Sequence, residues 1–280
     1  MGRMMARRNS DGKARLGWAL RKYWFIFNIQ LINSLAYPGE LVGRSLMIIP
    51  FMWIFAQLWK VTYAAAGSAD INGLTLQGTL WYLVMTETIE LSRPRIGNTI
   101  ADAVKDGSIA YVLNKPYNFL LYQFSTSMGE TIFRAVLGAS FGGIVMWLLV
   151  GPPPNLLGFL VVIPALLGAW VLNFCVAVLI GLAAFVSEDV NAYQWILQKL
   201  AFIFGGLMIP LDFYPGWLQA IANVLPFPAM MYAPARLFVE PTLEGFARTL
   251  GLQIAWIAVI GLLTSLAYRR GVAELTVNGG

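Results

Sequence analysis

Leu156–Val186 reads LLGFLVVIPALLGAWVLNFCVAVLIGLAAFV, without one charged side chain from end to end. A bilayer core about 30 Å thick needs roughly 20 apolar residues of helix, so this run crosses it with length left to tilt, or to kink at Pro164. Working outward, similar runs occupy Val42–Val61, Leu74–Leu91, Thr131–Val150, Trp195–Leu211 and Phe246–Tyr268. The spacing predicts an all-α polytopic membrane protein with six transmembrane helices. Gly151-Pro152-Pro153-Pro154 breaks the chain after the third run, and the third helix is expected to begin earlier, near Phe119, as an amphipathic stalk. Residues 62–73 read as a short outer loop. Asp212–Thr242 carries Pro215, Pro226, Pro228, Pro234 and Pro241 among aromatics and Met. It is too apolar for an ordinary loop and too broken for a span, so it reads as short re-entrant or interfacial helices on the outer side.

Composition agrees. Of 280 residues, 58% are hydrophobic and 12% charged, and mean hydropathy is +0.67. A soluble domain carries about 25% charged residues. The chain has no histidine, which excludes histidine-ligated metals, Ser-His-Asp triads and Cys-His dyads within it. Neither a catalytic residue nor a metal ligand is expected. Its one cysteine, Cys175, lies in an apolar run and reads as a small core residue.

The net charge of +5 and pI near 9.4 read as membrane topology, not as nucleic-acid binding. Arg3, Arg7, Arg8, Lys13, Arg15, Arg21 and Lys22 precede the spans. Arg93, Arg95, Lys105 and Lys115 lie between the second and third, and Arg269-Arg270 follow the sixth. The opposite loops hold Lys60, Arg236 and Arg248. The positive-inside rule then puts both termini in the cytoplasm. The whole chain reads as one domain, with a tail and interface helix over 1–41, a six-span bundle over 42–270 and a tail over 271–280.

Residues 15–37 place Leu16, Leu20, Tyr23, Trp24, Phe27, Leu31 and Leu35 at helical spacing, with Arg15, Lys22, Gln30 and Asn33 on another face. This suits a helix lying in the cytoplasmic interface, its cations reaching anionic headgroups. A signal peptide cleaved after Ser34-Leu35-Ala36 is the rival, although Asn28 and Gln30 interrupt its apolar core.

Gly138-Ala139-Ser140-Phe141-Gly142 matches a nucleophile-elbow pattern but has no histidine base. As Gly138-x-x-x-Gly142 and Ala139-x-x-x-Gly143 it offers small faces for helix packing. Gly12-Lys13 lacks the preceding glycine of a phosphate loop, so no ATPase site is expected. Glu87 and Glu90 sit at the inward end of the second span. Glu130 and Arg134 can pair four residues apart, and Lys199 can snorkel from the fifth run. All five lie near the cytoplasmic boundary. They read as interfacial anchors and helix contacts, with gating or coupling as the alternative.

Between the second and third spans, Pro94 suits a first helical turn, and Ile96, Ile100, Ala103 and Val104 form an apolar face. Asp102, Lys105 and Asp106 lie off it, and Gly107 is placed to end the helix. Such an element fits a docking surface for a cytosolic partner, or a loop resting on the membrane.

Lys105-Asp106-Gly107-Ser108-Ile109-Ala110-Tyr111-Val112-Leu113-Asn114-Lys115-Pro116 resembles the stretch after the second span of type-2 ABC exporter permeases. Phe204-Gly205-Gly206-Leu207-Met208-Ile209-Pro210-Leu211-Asp212-Phe213-Tyr214-Pro215-Gly216-Trp217-Leu218, with Leu225-Pro226-Phe227 beyond it, is similar to their fifth-span and outer re-entrant signature. Asp106 departs from the pattern, standing where a basic or small residue is expected.

The resemblance implies a permease subunit in the inner membrane of a prokaryote, without enzymatic activity or a cofactor of its own. ATP and Mg would be bound by cytosolic ABC ATPase subunits. A second permease subunit would complete the path, of unlike sequence in preference to a second copy, with membrane lipids around it. Arg21 and Lys22, the segment Asp102, Lys105, Asp106 and Gly107, and the acidic turn Ser187-Glu188-Asp189 are the implied ATPase-coupling surface. Gly205, Gly206, Pro210, Phe213, Tyr214 and Pro215 form the implied outer gate. An apolar lining would suit export of a lipid-like, amphipathic or drug-like substrate. A secondary transporter, or a membrane enzyme using the near-interface carboxylates, is the competing class.

Overall fold

The computed structural model describes residues 20–36, 38–113, 115, 117–187 and 189–278. Helix α1 covers residues 20–36, followed by α2 (Gly39–Leu46) and α3 (Ile48–Ala66). A small antiparallel hairpin, β1 (Asp70–Ile71) and β2 (Leu74–Thr75), leads into α4 (Leu76–Ser92). Next come α5 (Ile96–Lys105), α6 (Ser108–Leu113), α7 (Phe119–Val150) and α8 (Gly158–Leu182), the last extended by a 3-10 turn at Ala183–Phe185. The chain continues through α9 (Asn191–Phe204), α10 (Gly216–Asn223), α11 (Phe227–Met230), α12 (Tyr232–Val239) and α13 (Leu243–Asn278).

Four stretches among the described residues are long and apolar enough to cross a membrane: Gly39–Ala66, Phe119–Val150, Gly158–Phe185 and Leu243–Gly271. Helix α4 has 17 residues and α9 has 14, so length alone does not make either a span. The protein is an all-α polytopic membrane protein. Outward-facing Leu148 on α7, Leu160 on α8 and Ile254 on α13 are 80%, 69% and 67% exposed, a surface suited to lipid and not to water.

Helix α4 is the centre. Its residues from Gly78 to Ile89 are all buried, and Thr75 caps its start by accepting from the Gly78 N–H at 3.1 Å. It packs on α3 and α7 on one side and on α12 on the other, while α8 carries α5, α12 and α13. Between apolar helices in lipid, association depends on close packing and hydrogen bonds more than on the hydrophobic effect. The Gly138-x-x-x-Gly142 face supplies such packing. A Cβ at Gly142 would stand 2.8 Å from Ile48 Cδ1 and 3.3 Å from Val84, so a larger residue there would make Ile48 move.

Several boundaries differ from the sequence reading. Helix α3 runs on to Ala66 because buried Tyr63 donates to the Leu74 carbonyl at 2.7 Å, tying its last turn to the hairpin. Trp59 is 7% exposed and packs on Phe213 at 5.2 Å between ring centres. The fifth run is helical only to Phe204, since Gly206 takes a φ of +69° that ends helical geometry. Helix α13 continues past Arg269-Arg270 to Asn278 instead of stopping at Tyr268.

Candidate functional site

The end of the bundle that gathers most of the cations is built first by α5. Pro94 precedes this helix and does not enter it, because the first helical residue is Ile96 and Arg95 is the N-cap. The buried residues are Gly97, Ile100 and Ala101, while Ala103 and Val104 are half-buried. The face is therefore rotated slightly from the one expected. It rests on α8 and the 183–185 turn, leaving Asp102, Lys105 and Asp106 exposed.

Gly107, at φ +76°, ends the helix. Asp106 has a local task as well: its Oδ1 accepts the Ser108 N–H at 2.9 Å and starts α6. Hydrogen bonds from the Ser108 side chain and backbone hold the Asp106 carboxyl below the ordinary carboxylate range.

The other coupling candidates converge on the same end. The Tyr23 hydroxyl of α1 accepts the Asn118 N–H at 2.9 Å, one residue before α7. Arg21 lies over the Phe25 ring at 5.6 Å and Lys22 over Tyr23 at 4.9 Å, both exposed. Farther along, Gly129 lets α1 cross α7 at backbone distance, since a Cβ there would stand 2.9 Å from the Phe27 carbonyl oxygen. In the turn before α9, Ser187 donates to the Asp189 carbonyl at 3.2 Å, and Asp189 Oδ1 accepts the Asn191 N–H at 2.8 Å. Glu188 lies outside the described residues. Gln194, on the first turn of α9, donates to Asn98 Oδ1 at 2.5 Å and so joins this turn to α5.

The boundary charges are mostly paired. Arg93 lies 3.3 Å from Glu90. Arg134 is 4% exposed; its Nε lies 3.3 Å from Glu130 Oε1 but is not aimed at it as a hydrogen bond. Its two terminal nitrogens donate to the Leu91 and Arg93 carbonyls at 3.4 and 3.2 Å, neutralising the C-terminal end of α4. Glu87 is buried on α4, and Lys199 is exposed, with its ammonium 5.1 Å from the Trp195 ring centre.

At the opposite end, Gly205, Gly206 and Pro210 are buried, Phe213 and Tyr214 are half-buried, and Pro215 precedes α10. Tyr214 donates to the Ile203 carbonyl at 2.7 Å. Asp212 anchors this region: its Oδ1 accepts from Tyr232 at 3.1 Å and from Arg236 at 3.4 Å, and its carbonyl accepts from Asn72 at 2.9 Å. Sequence reasoning counted Arg236 as an outer-side cation but paired neither it nor Tyr232 with Asp212, which they approach only through the fold.

It also missed a cavity of about 520 Å³ at the cation-rich end, lined by parts of α4, α5, α8 and α9. Its polar lining includes Glu90, Arg93, Arg95, Asn98, Asn173, Gln194 and Gln198. These residues come from separate segments. The one signal in the sequence was Asn173, an amide in the middle of an otherwise apolar run.

A family model described as ABC-2 family transporter protein matches residues 47–279. No curated protein matches the chain.

Proposed function

Since the chain belongs to the ABC-2 family of transporter proteins, we propose that it is the membrane-spanning subunit of an ATP-driven exporter and is powered by separate ATPase subunits. In this reading six helices cross the inner membrane of a prokaryote, with α4 and α9 as the two short spans and both termini in the cytoplasm. Residues 205–242 form the outer re-entrant region and gate. A second permease subunit of unlike sequence completes the path, and the cargo is lipid-like, amphipathic or drug-like. ATP and Mg stay in the ATPase partner.

The observation that carries the reading is the convergence of three elements at one end of the bundle. Helix α5 rests its apolar face on α8, which leaves Asp102, Lys105 and Asp106 outward. The base of α1 is tied to the start of α7 through Tyr23–Asn118, and the turn before α9 to α5 through Gln194–Asn98. Such a surface transmits a push from below to α7, α8 and α9 together. Because α5 and α8 pack without an intervening loop, a tilt of one moves the other.

The test is co-expression with a candidate ABC ATPase subunit, followed by reconstitution of the complex and efflux of a fluorescent lipid analogue. Efflux should require hydrolysable ATP and stop with vanadate. Efflux driven by an ion gradient without ATP would sink the reading.

A further inference from the structure

We propose that the cavity between α4, α5, α8 and α9 binds a phosphoryl group, with Arg95 as its cation. This deepens the export reading by naming the chemistry of a ligand, and depends on that reading only for the side of the membrane from which the ligand arrives.

Of the three charged lining residues, Glu90 and Arg93 neutralise each other at 3.3 Å. Arg95 has no carboxylate within ion-pair distance among the described residues, so the lining carries one net positive charge. Arg95 is exposed as a residue, but its guanidinium is partly desolvated and lies in the field of Arg44 and Arg93, which lowers its pKa from the ordinary value although Glu130 and Glu90 offset part of the effect. An anion in contact with it would complete that offset.

Hydrogen bonding points the same way. Gln194 already donates one N–H to Asn98 Oδ1, using that acceptor, and the Glu90 carboxylate is engaged by Arg93 and by Gln198. The second N–H of Gln194, the Asn98 amide nitrogen and the Arg95 fork remain as donors. Helix α5 adds more. It opens at Ile96 without a side-chain cap, and the N–H groups of its first turn, which includes the lining residues Gly97 and Asn98, have no intrahelical acceptor. These donors and the one net positive charge suit a group with several acceptor oxygens and negative charge, as a phosphate ester has.

The volume exceeds what one phosphate needs and lies within the range of small-molecule sites. Leu91, Val176, Ala177, Ile180 and Leu197 supply an apolar wall. The phosphoryl group of an amphiphile would use both parts, whereas free phosphate would use only the first.

The experiment uses the full chain in detergent micelles, without ATPase or ATP, and measures binding of 1-oleoyl-lysophosphatidic acid, 1-oleoylglycerol and inorganic phosphate by equilibrium dialysis. The lysophosphatidic acid should bind, and 1-oleoylglycerol should not. Arg95→Gln should weaken binding at least tenfold, and Gln194→Leu severalfold with no change of charge. Lys105→Gln, an equal charge change on an exposed residue of the same helix, should leave binding unchanged. Displacement by equimolar inorganic phosphate would assign the phosphoryl group to a free anion, and retention would assign it to an amphiphile. Equal binding of 1-oleoylglycerol, or equal affinities for Arg95→Gln and Lys105→Gln, would overturn the proposal. Because ATP is absent, binding that persists while ATP-driven efflux fails counts against the export reading and leaves the site standing.

Discussion

The Tyr82 hydroxyl, buried in the middle of α4, donates to the Gly206 carbonyl oxygen at 2.6 Å. One turn along α4, Thr86 donates to the Leu207 carbonyl at 2.9 Å. The non-helical backbone after α9 thus has its free carbonyls satisfied by α4. Backbone at membrane depth requires such partners, because lipid offers none.

Tyr82→Phe should therefore destabilise the protein by about 1–2 kcal/mol, since it strands a buried acceptor. Gly206→Ala should cost a similar amount from the left-handed φ alone, about 1–2 kcal/mol. Its added Cβ would also stand 2.7 Å from the Tyr82 hydroxyl, which should break the same bond. Thermal unfolding in detergent should show both losses. Their double mutant should lose less than the sum, because the two changes remove one shared contact.

Arg134→Gln should be among the more damaging substitutions at the cation-rich end. Its guanidinium serves the Leu91 and Arg93 carbonyls, and a shorter neutral amide cannot reach both. The loss should be about 2–3 kcal/mol. Limited trypsin digestion should then cut faster after Arg95, just beyond the released end of α4; the Arg93–Pro94 bond is not a trypsin site. Arg134→Lys should recover part of the loss, as it keeps the charge but not the fork.

These two contacts show what the sequence could and could not reveal. The long helices were legible because apolar runs are a property of local composition; the stop after Phe204 was not, because the apolar run carries on to Leu211 past the left-handed Gly206 that ends the helix. Partners 124 residues apart, such as Tyr82 and Gly206, leave no local period to read. Helix α4 is buried on every side, so no amphipathic face says which neighbour it meets. The Glu130–Arg134 pair was readable from i,i+4 spacing, whereas the Arg134 contacts to the end of α4 were not. The amides of the cavity converge from three segments and share no motif. Asp106 stood out as a departure from a family pattern, yet its link to Ser108 is an ordinary turn capping the next helix.

The proposed six-span topology makes its own prediction. With Cys175 replaced by alanine, single cysteines at Ser68, Pro153 and Gln219 should react with an impermeant maleimide added outside the cell. Cysteines at Ser10, Ser108 and Asn278 should react only after permeabilisation. The informative position is Gln219, on α10. If it is protected, α9 does not complete a span and the outer gate must be placed elsewhere. Labelling of Ser108 in intact cells would invert the orientation.

Coupling to the ATPase is the sharpest test of the exposed face of α5. Reversing Lys105 and Asp106 together would confuse two effects, because Asp106 also caps α6. Lys105→Glu combined with Asp106→Asn separates them: the asparagine oxygen can still accept the Ser108 N–H, so α6 should persist while the surface charge changes. Solution pH should not blur the comparison. The lowered Asp106 pKa means that its contribution is present above the unfolded-state value of about 3.9 and is lost only as pH falls through the lower folded value. Assays between pH 6 and 8 therefore see one charge state. The double variant should insert and unfold like the parent, yet co-purify with less ATPase or hydrolyse more ATP per molecule exported. Normal association and normal stoichiometry would remove α5 from the coupling path and leave α1 and the turn before α9 as the remaining contacts.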